Sequence, residues 1–176
     1  MAHMDWSCAV QIGQAKSAED FHLFAGLVTQ YVEWCRVRFA ARPDFVDGLF
    51  GIQLLDEELR ALPSKYSPPA GRAFLVMGDD GATGCIAYRR IDARVCEMKR
   101  LFVQDAAHGQ GIGRRLCKEA ITRAREDGFE HIRLDTLRLF TESIALYRSL
   151  GFVECAPYLD YPQEMLADVL FMQLRL

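Results

Sequence analysis

Phe21, Phe24, Val28, Tyr31 and Cys35 follow one another at steps of 3, 4, 3 and 4. That spacing predicts one face of a long helix, ending near Phe39 before Arg42-Pro43. Ser17 with Asp20 resembles a capping box at its start. The aromatic stripe reads as core rather than a ligand wall. A short strand over Cys8 to Ile12 precedes it. Phe45 to Gly51 reads as a loop, and Ile52 to Leu62 as a second helix stopped by Pro63. Pro68-Pro69 marks a rigid turn. From Arg72 the period shortens to that of strands. Ala73–Met77 and Gly84–Ile91 form a hairpin around Asp79-Asp80-Gly81. Val95–Val103 is the next strand. Ile112, Leu116, Ala120 and Ala124 recur at every fourth position, predicting a helix from Gly111 to about Asp127, with Gly128 ending it. His131–Thr136 is a strand. Thr141 caps a helix to about Leu150, with Glu142 in its first turn and Gly151 terminating it. Phe152–Tyr158 and Val169–Leu176 are the last strands, with residues 159–168 as the loop between them.

The order β-α-α-β-β-β-α-β-α-β-β predicts a mixed α/β (α+β) domain with a largely antiparallel sheet. Repeats, low-complexity segments and a domain linker are absent from the pattern. The chain is 176 residues long, enough for one domain, 1–176, with a full core. Met1 to Met4, MAHM, reads as an expression remnant. A net charge of −3 gives no global argument for nucleic-acid or membrane partners. The chain shows neither a signal peptide nor an apolar run near the roughly 18 residues of a spanning helix. The six cysteines (Cys8, Cys35, Cys85, Cys96, Cys117, Cys155) form no CxxC pair. They read as buried reduced thiols, which favours the cytoplasm. His3, His22 and His131 show no metal pattern, so no metal is expected.

The most informative stretch is Glu97 to Arg115, EMKRLFVQDAAHGQGIGRR. A strand ends at Leu101-Phe102-Val103, a loop follows, and Gly109, Gly111 and Gly113 open a helix. Unpaired N–H groups and the helix dipole favour an anion at such a start. Arg114 and Arg115 in the first turn oppose that dipole unless a strongly negative ligand sits in front of them. A diphosphate would supply that charge.

Here the sequence resembles the GCN5-related N-acetyltransferase (GNAT) superfamily. HGQGIG, residues 108–113, is similar to the Q/R-x-x-G-x-G/A acetyl-CoA signature. SIALYRSLGF, residues 143–152, is similar to A-x-x-L-Y-x-x-x-G-F. EMKRLFV and the closing FMQLRL look like the family's fourth and last strands. The match spans about residues 72–176. Two positions depart from the pattern: His108 stands for the usual Gln or Arg, and Phe140 for an Asn often found seven residues before the tyrosine. His108 still offers a ring N–H toward phosphate, whereas Phe140 cannot hydrogen-bond.

The resemblance implies a single GNAT-like domain, with about seven strands, about four flanking helices, and splayed fourth and fifth strands. It implies acetyl transfer from acetyl-CoA to a primary amine by direct attack in a ternary complex. Backbone N–H groups of Gln110, Gly111, Ile112, Gly113, Arg114 and Arg115 would grip the pyrophosphate, beside His108 and Gly109. Leu101, Phe102 and Val103 would pair with pantetheine, and an N–H near Leu101 would face the oxyanion. Tyr147 matches the tyrosine proposed to protonate the CoA thiolate. A phenol of pKa about 10 can donate to a thiolate of pKa about 8.5 as charge builds. The competing role for Tyr147 is core packing, since Ile144 and Leu150 share its helix face. Glu97 is the candidate general base, with Asp135 the weaker candidate. The alternative for Glu97 is an exposed glutamate paired with Lys99 or Arg90.

Two other readings compete. In a dinucleotide-binding loop, Gly109, Gly111 and Gly113 would hold the cofactor and Asp135 a ribose, but the third glycine is missing where Arg114 stands. A non-catalytic acyl-CoA sensor would keep the glycine loop without needing Tyr147 or Glu97. The acceptor is a small-molecule or peptide amine, met by the N-terminal helices and segment 43–70. Asp44, Asp47, Asp56, Glu57 and Glu58 there read as a solvated face. Frequency alone favours a homodimer.

Overall fold

The computed structural model describes residues 11–79 and 81–176. Of the predicted first strand, Cys8 to Val10 lie outside the described residues, as does Asp80 of the hairpin turn. The strands are β1 (Gln11–Gln14), β2 (Gly71–Gly78), β3 (Gly81–Arg90), β4 (Val95–Val103), β5 (His131–Leu137), β6 (Val153–Glu154) and β7 (Val169–Arg175). The helices are α1 (Ala18–Arg38), α2 (Pro43–Ile52), α3 (Leu55–Arg60), α4 (Leu62–Lys65), α5 (Ile112–Glu126), α6 (Thr141–Ser149) and α7 (Gln163–Leu166). One sheet runs β1-β2-β3-β4-β5-β7-β6. Its neighbours are antiparallel except β4 and β5. The predicted seven-stranded mixed sheet is therefore present.

Each sheet face carries its own core. Phe24, Val28, Cys35, Val46 and Tyr66 cover one face with the N-terminal helices. Ile112, Leu116, Ala120, Ile144 and Phe152 cover the other with α5 and α6. The α1 start is the expected capping box: Ser17 N–H donates to Asp20 Oδ2 at 2.8 Å, and Asp20 N–H to Ser17 Oγ at 3.1 Å.

Several predicted boundaries are corrected. Residues 45–51 are helical, not a loop: Pro43 opens α2 in its first turn, and Phe45, Val46, Leu49 and Phe50 are buried at helical spacing. The second helix is shorter, ending at Arg60, and Pro63 sits in the first turn of a new helix, α4, that begins at Leu62. A proline fits a first helical turn because its missing N–H would be unpaired there. The strand 152–158 shrinks to β6, since Pro157 cannot donate to a ladder. The last loop contains α7. Thr141 does not cap α6; its hydroxyl donates to Glu142 instead, at 3.2 Å.

The far end of α5 is anchored by Asp127. Arg72 Nε and Nη2 donate to its two oxygens at 2.9 and 2.6 Å, and the Tyr88 hydroxyl donates at 2.6 Å. The Arg72 hydrogen bond is the main reason that the Asp127 carboxyl lies below its ordinary value. A depressed carboxyl stabilises the fold above the unfolded pKa and loses that contribution as pH falls through the folded value. Asp127→Asn is therefore expected to cost about 1.5–3 kcal/mol at pH 7. In urea titrations the gap from wild type should close as pH drops below about 3.9.

Candidate active site

The sheet opens between β4 and β5. Their pairing covers only Val95–His131, Cys96–Ile132 and Glu97–Arg133. Beyond that point the two strands part, and a cavity of about 650 Å³ fills the gap. Met98 to Val103 line one lip, and Asp135 and Thr136 the other. The β4 lip is bent by a bulge. Ala87 pairs with Lys99 and Cys85 with Phe102, so Arg100 and Leu101 both oppose Ile86. Arg100 takes φ +60° there, a left-handed conformation uncommon for a side chain of this size. The extra residue shifts the alternation. Met98, Leu101 and Val103 pack toward α5, while Phe102 packs toward α1.

The glycine loop closes one end of the cavity. Gly109 and Gly111 have φ +78° and +71°, which L side chains rarely adopt. Gly111 occupies the cap position of α5, with no side-chain hydrogen bond and no acidic residue in the first turn. Arg114 lines the cavity and donates to Ser149 Oγ at 2.7 Å. Uncapped N–H groups and a first-turn cation together form a cradle that fits a polyanion such as a pyrophosphate.

Of the sequence-predicted residues, the cavity brings together Leu101, Phe102, Val103, His108, Gly109, Gly111, Ile112, Gly113, Arg114 and Tyr147. Gln110 and Arg115 are not in its wall; Arg115 borders a smaller surface cleft with Lys118 and Glu119. The His108 ring is already engaged. Its Nε2 lies 2.8 Å from the Val103 carbonyl, an acceptor only, so that nitrogen carries the proton and donates to it. Phe140 lines the cavity and packs on Trp34 and Phe39, with centroids 5.3 and 6.0 Å away.

Tyr147 stands on α6 with its ring against Phe152 at 5.7 Å. Burial pushes its phenol well above the ordinary value, so it remains protonated. Glu97 is wholly buried and does not itself line the cavity. Arg89 Nε donates to its Oε2 at 2.7 Å, and the Tyr158 hydroxyl to its Oε1 at 3.2 Å. Lys99 Nζ stands 3.6 Å from Glu97 and 3.8 Å from Asp135. Asp135 in turn accepts from Tyr161 at 2.8 Å and Gln53 at 3.1 Å.

Sequence reasoning did not find the rest of this row. Gln53 Oε1 accepts from Arg100 at 2.7 Å, and Arg100 forks onto both Glu58 oxygens at 2.8 and 3.0 Å. Glu58, expected on a solvated face, is buried, whereas Asp44, Asp47, Asp56 and Glu57 are exposed as expected. Tyr31, read as core, and Trp34, on which the sequence pattern placed no role, are half-buried and line the cavity. Their polar-tipped rings, against the fully buried Phe21 and Phe24 earlier in the helix, are the signal that marks them. Burial lifts the Cys35 thiol to about 11 and those of Cys85, Cys96 and Cys117 to about 12. They are poor nucleophiles as a result. Among the described residues, no three His, Cys, Asp or Glu side chains gather as a metal site. Among them, too, no helix is long and apolar enough to cross a membrane.

Comparison with known proteins points the same way. The model of the acetyltransferase (GNAT) family matches residues 27–152. An uncharacterized N-acetyltransferase of Schizosaccharomyces pombe is 31% identical, covering 95% of this chain and 95% of that protein. An IAA acetyltransferase of Azospirillum brasilense is 40% identical over 68% of this chain and 74% of its own length. The crystal structure of an acetyltransferase from Streptococcus agalactiae superposes with a TM-score of 0.73 at 20% identity, covering 96% and 99% of the two chains. The chain has the fold of these acetyltransferases, and it belongs to the GNAT family as an acetyl-CoA-dependent N-acetyltransferase.

Proposed function

We propose that the protein passes the acetyl group of acetyl-CoA directly to a primary amine while both are bound. The observation that carries this reading is the uncapped, cationic start of α5 opening into the gap between β4 and β5. The N–H groups of the first turn, from Gly111 to Arg114, hold the pyrophosphate, with Gly109 and His108 shaping the loop before them, whereas the Arg115 N–H is taken by the Gly111 carbonyl at 3.1 Å. Leu101, Phe102 and Val103 offer main-chain partners to the pantetheine arm, and an N–H near Leu101 faces the developing oxyanion. Tyr147 protonates the departing thiolate. Asp135 is the carboxylate that the acceptor amine meets at the cavity wall. Glu97 acts as base from behind it by a relay, in which Lys99 gives a proton to Glu97 as it takes one from the amine. Glu97, Asp135 and Glu58 are matched by Arg89, Lys99 and Arg100, so the row is formally neutral. An ammonium entering it adds unmatched charge, which favours release of its proton before attack. The buried thiols fit a reducing compartment such as the cytoplasm.

Calorimetric titration with acetyl-CoA, with NADH as control, tests the cofactor site. A Cβ on Gly113 meets only Leu146 Cδ2, at 3.6 Å, so Gly113→Ala should fold and bind. Gly113→Asp places a carboxylate in the cradle, and about 4 kcal/mol of repulsion at close range predicts an affinity loss of at least about 100-fold. Equal binding by the Asp and Ala variants would remove the pyrophosphate from this loop.

A further inference from the structure

The acceptor end of the cavity has a chemical character of its own. Tyr31, Trp34 and Arg38 succeed one another at steps of 3 and 4 on α1, and all three line the cavity. They share one helix face. The Tyr31 and Trp34 rings stack at 23° with centroids 6.4 Å apart. Phe50 and Phe102 hold Tyr31 at 5.8 Å each, and Phe140 holds Trp34 at 5.3 Å. Both rings are fixed from behind and still partly exposed to the cavity.

Four lysines and arginines among the described residues line this cavity. Lys99 faces Glu97 and Asp135, and Arg100 is forked onto Glu58. Arg114 stands at the start of α5, where the pyrophosphate cradle lies. Arg38 is different. Its guanidinium lies 5.0 Å from the Trp34 ring centroid, and among the described residues it makes no ion pair. Glu142 also lines the cavity, but its carboxyl is lowered first by its own backbone N–H and then by Thr141, with Arg38 the least of the favourable influences. A guanidinium held over an indole by its charge, and in no ion pair, keeps N–H donors available for a carboxylate.

Resting on the N-acetyltransferase reading above, we propose that the acceptor is an aromatic amino acid. Its ring seats on Tyr31 and Trp34, its carboxylate is held by Arg38, and its amine points to Asp135 between the parted strands. A cavity of about 650 Å³ suits a small molecule of this kind beside the pantetheine arm.

The probes are L-tryptophan, L-tryptophanamide and tryptamine, titrated calorimetrically with and without saturating CoA. Wild type and Arg38→Ala are compared, and each is also titrated with CoA and with dephospho-CoA. The expected result is that wild type binds the acid at least about 10-fold tighter than the amide, the scale of one charge-assisted fork. Arg38→Ala should bring the acid down to the amide without moving the CoA affinity. Equal binding of acid and amide by wild type, or no binding of any probe, overturns the proposal. So does a variant that weakens CoA but not dephospho-CoA, since Arg38 would then hold the cofactor's 3′-phosphate. If wild type does not bind CoA, the cofactor reading fails, while the acid-over-amide comparison without CoA still decides the acceptor class.

Discussion

Glu58→Ala is expected to lower the unfolding free energy by about 3–5 kcal/mol, the usual cost of leaving one partner of a buried ion pair behind. For a domain of this size that corresponds to a fall of roughly 6–20 °C in melting temperature. Arg100 is about as buried as Glu58, at 6% and 0% exposure. Its bulged backbone fixes it there, so the guanidinium cannot swing out to water when the carboxylate is removed. Burial is the largest single influence on the Glu58 carboxyl and raises it, but the charge and hydrogen bonds of Arg100, with Lys99 and Tyr66, together outweigh it and the net shift is downward. The pair therefore stabilises the fold above the ordinary carboxylate range and weakens as pH falls through the folded value. Thermal melts at pH 7 and pH 4 check both sign and size, since the variant's deficit should shrink at the lower pH. The double variant Glu58→Leu/Arg100→Met should regain much of the loss, because well-packed apolar replacements of a buried pair are often neutral. Activity is expected not to return with stability. Arg100 also holds Gln53, and Gln53 holds Asp135 at the cavity wall.

Tyr147→Phe is expected to reduce kcat by about 100- to 1,000-fold, within the range of a lost general acid. The ring stays against Phe152, so the melting temperature should move little and acetyl-CoA should still bind. Steady-state thiol release and a binding titration separate these effects. A kcat near wild type would assign the thiolate's proton to another donor and return Tyr147 to core packing.

What was legible in the sequence was local. The α5 start shows itself in glycines at alternate positions, and α6 in the run SIALYRSLGF, because each is one contiguous segment. The α2 helix was not legible because Gly48 and Gly51, on its exposed side, are weak helix formers inside a short segment whose apolar face is only Phe45, Val46, Leu49 and Phe50. A Cβ on Gly48 would meet only the Met165 methyl group, at 3.6 Å, an ordinary contact that does not itself require glycine. The bulge left no mark either, because an arginine is the last residue expected at positive φ. The charged row is harder still. Glu58 and Arg100 are 42 positions apart, and Gln53 and Asp135 are 82 apart. No periodicity connects residues that meet only after the sheet has formed. Glu97 shows the limit plainly: the same residue reads as surface or site until the pairing of β3, β4 and the Tyr158 loop buries it.

The parting of β4 and β5 creates two sheet edges in the middle of the molecule. An exposed edge is ordinarily a liability, because its unpaired N–H and C=O groups invite another chain to add as a strand. Here both core layers cross the gap, with Leu137, Phe140 and Phe171 on one face and Leu134, Ile144 and Tyr147 on the other. The inner edges are therefore roofed on both sides. A neighbouring protein strand, with side chains alternating above and below, would have to displace those core side chains to pair there. A thin, unbranched chain carrying amides would not. The architecture turns a hazard of β-structure into a filter for ligand shape.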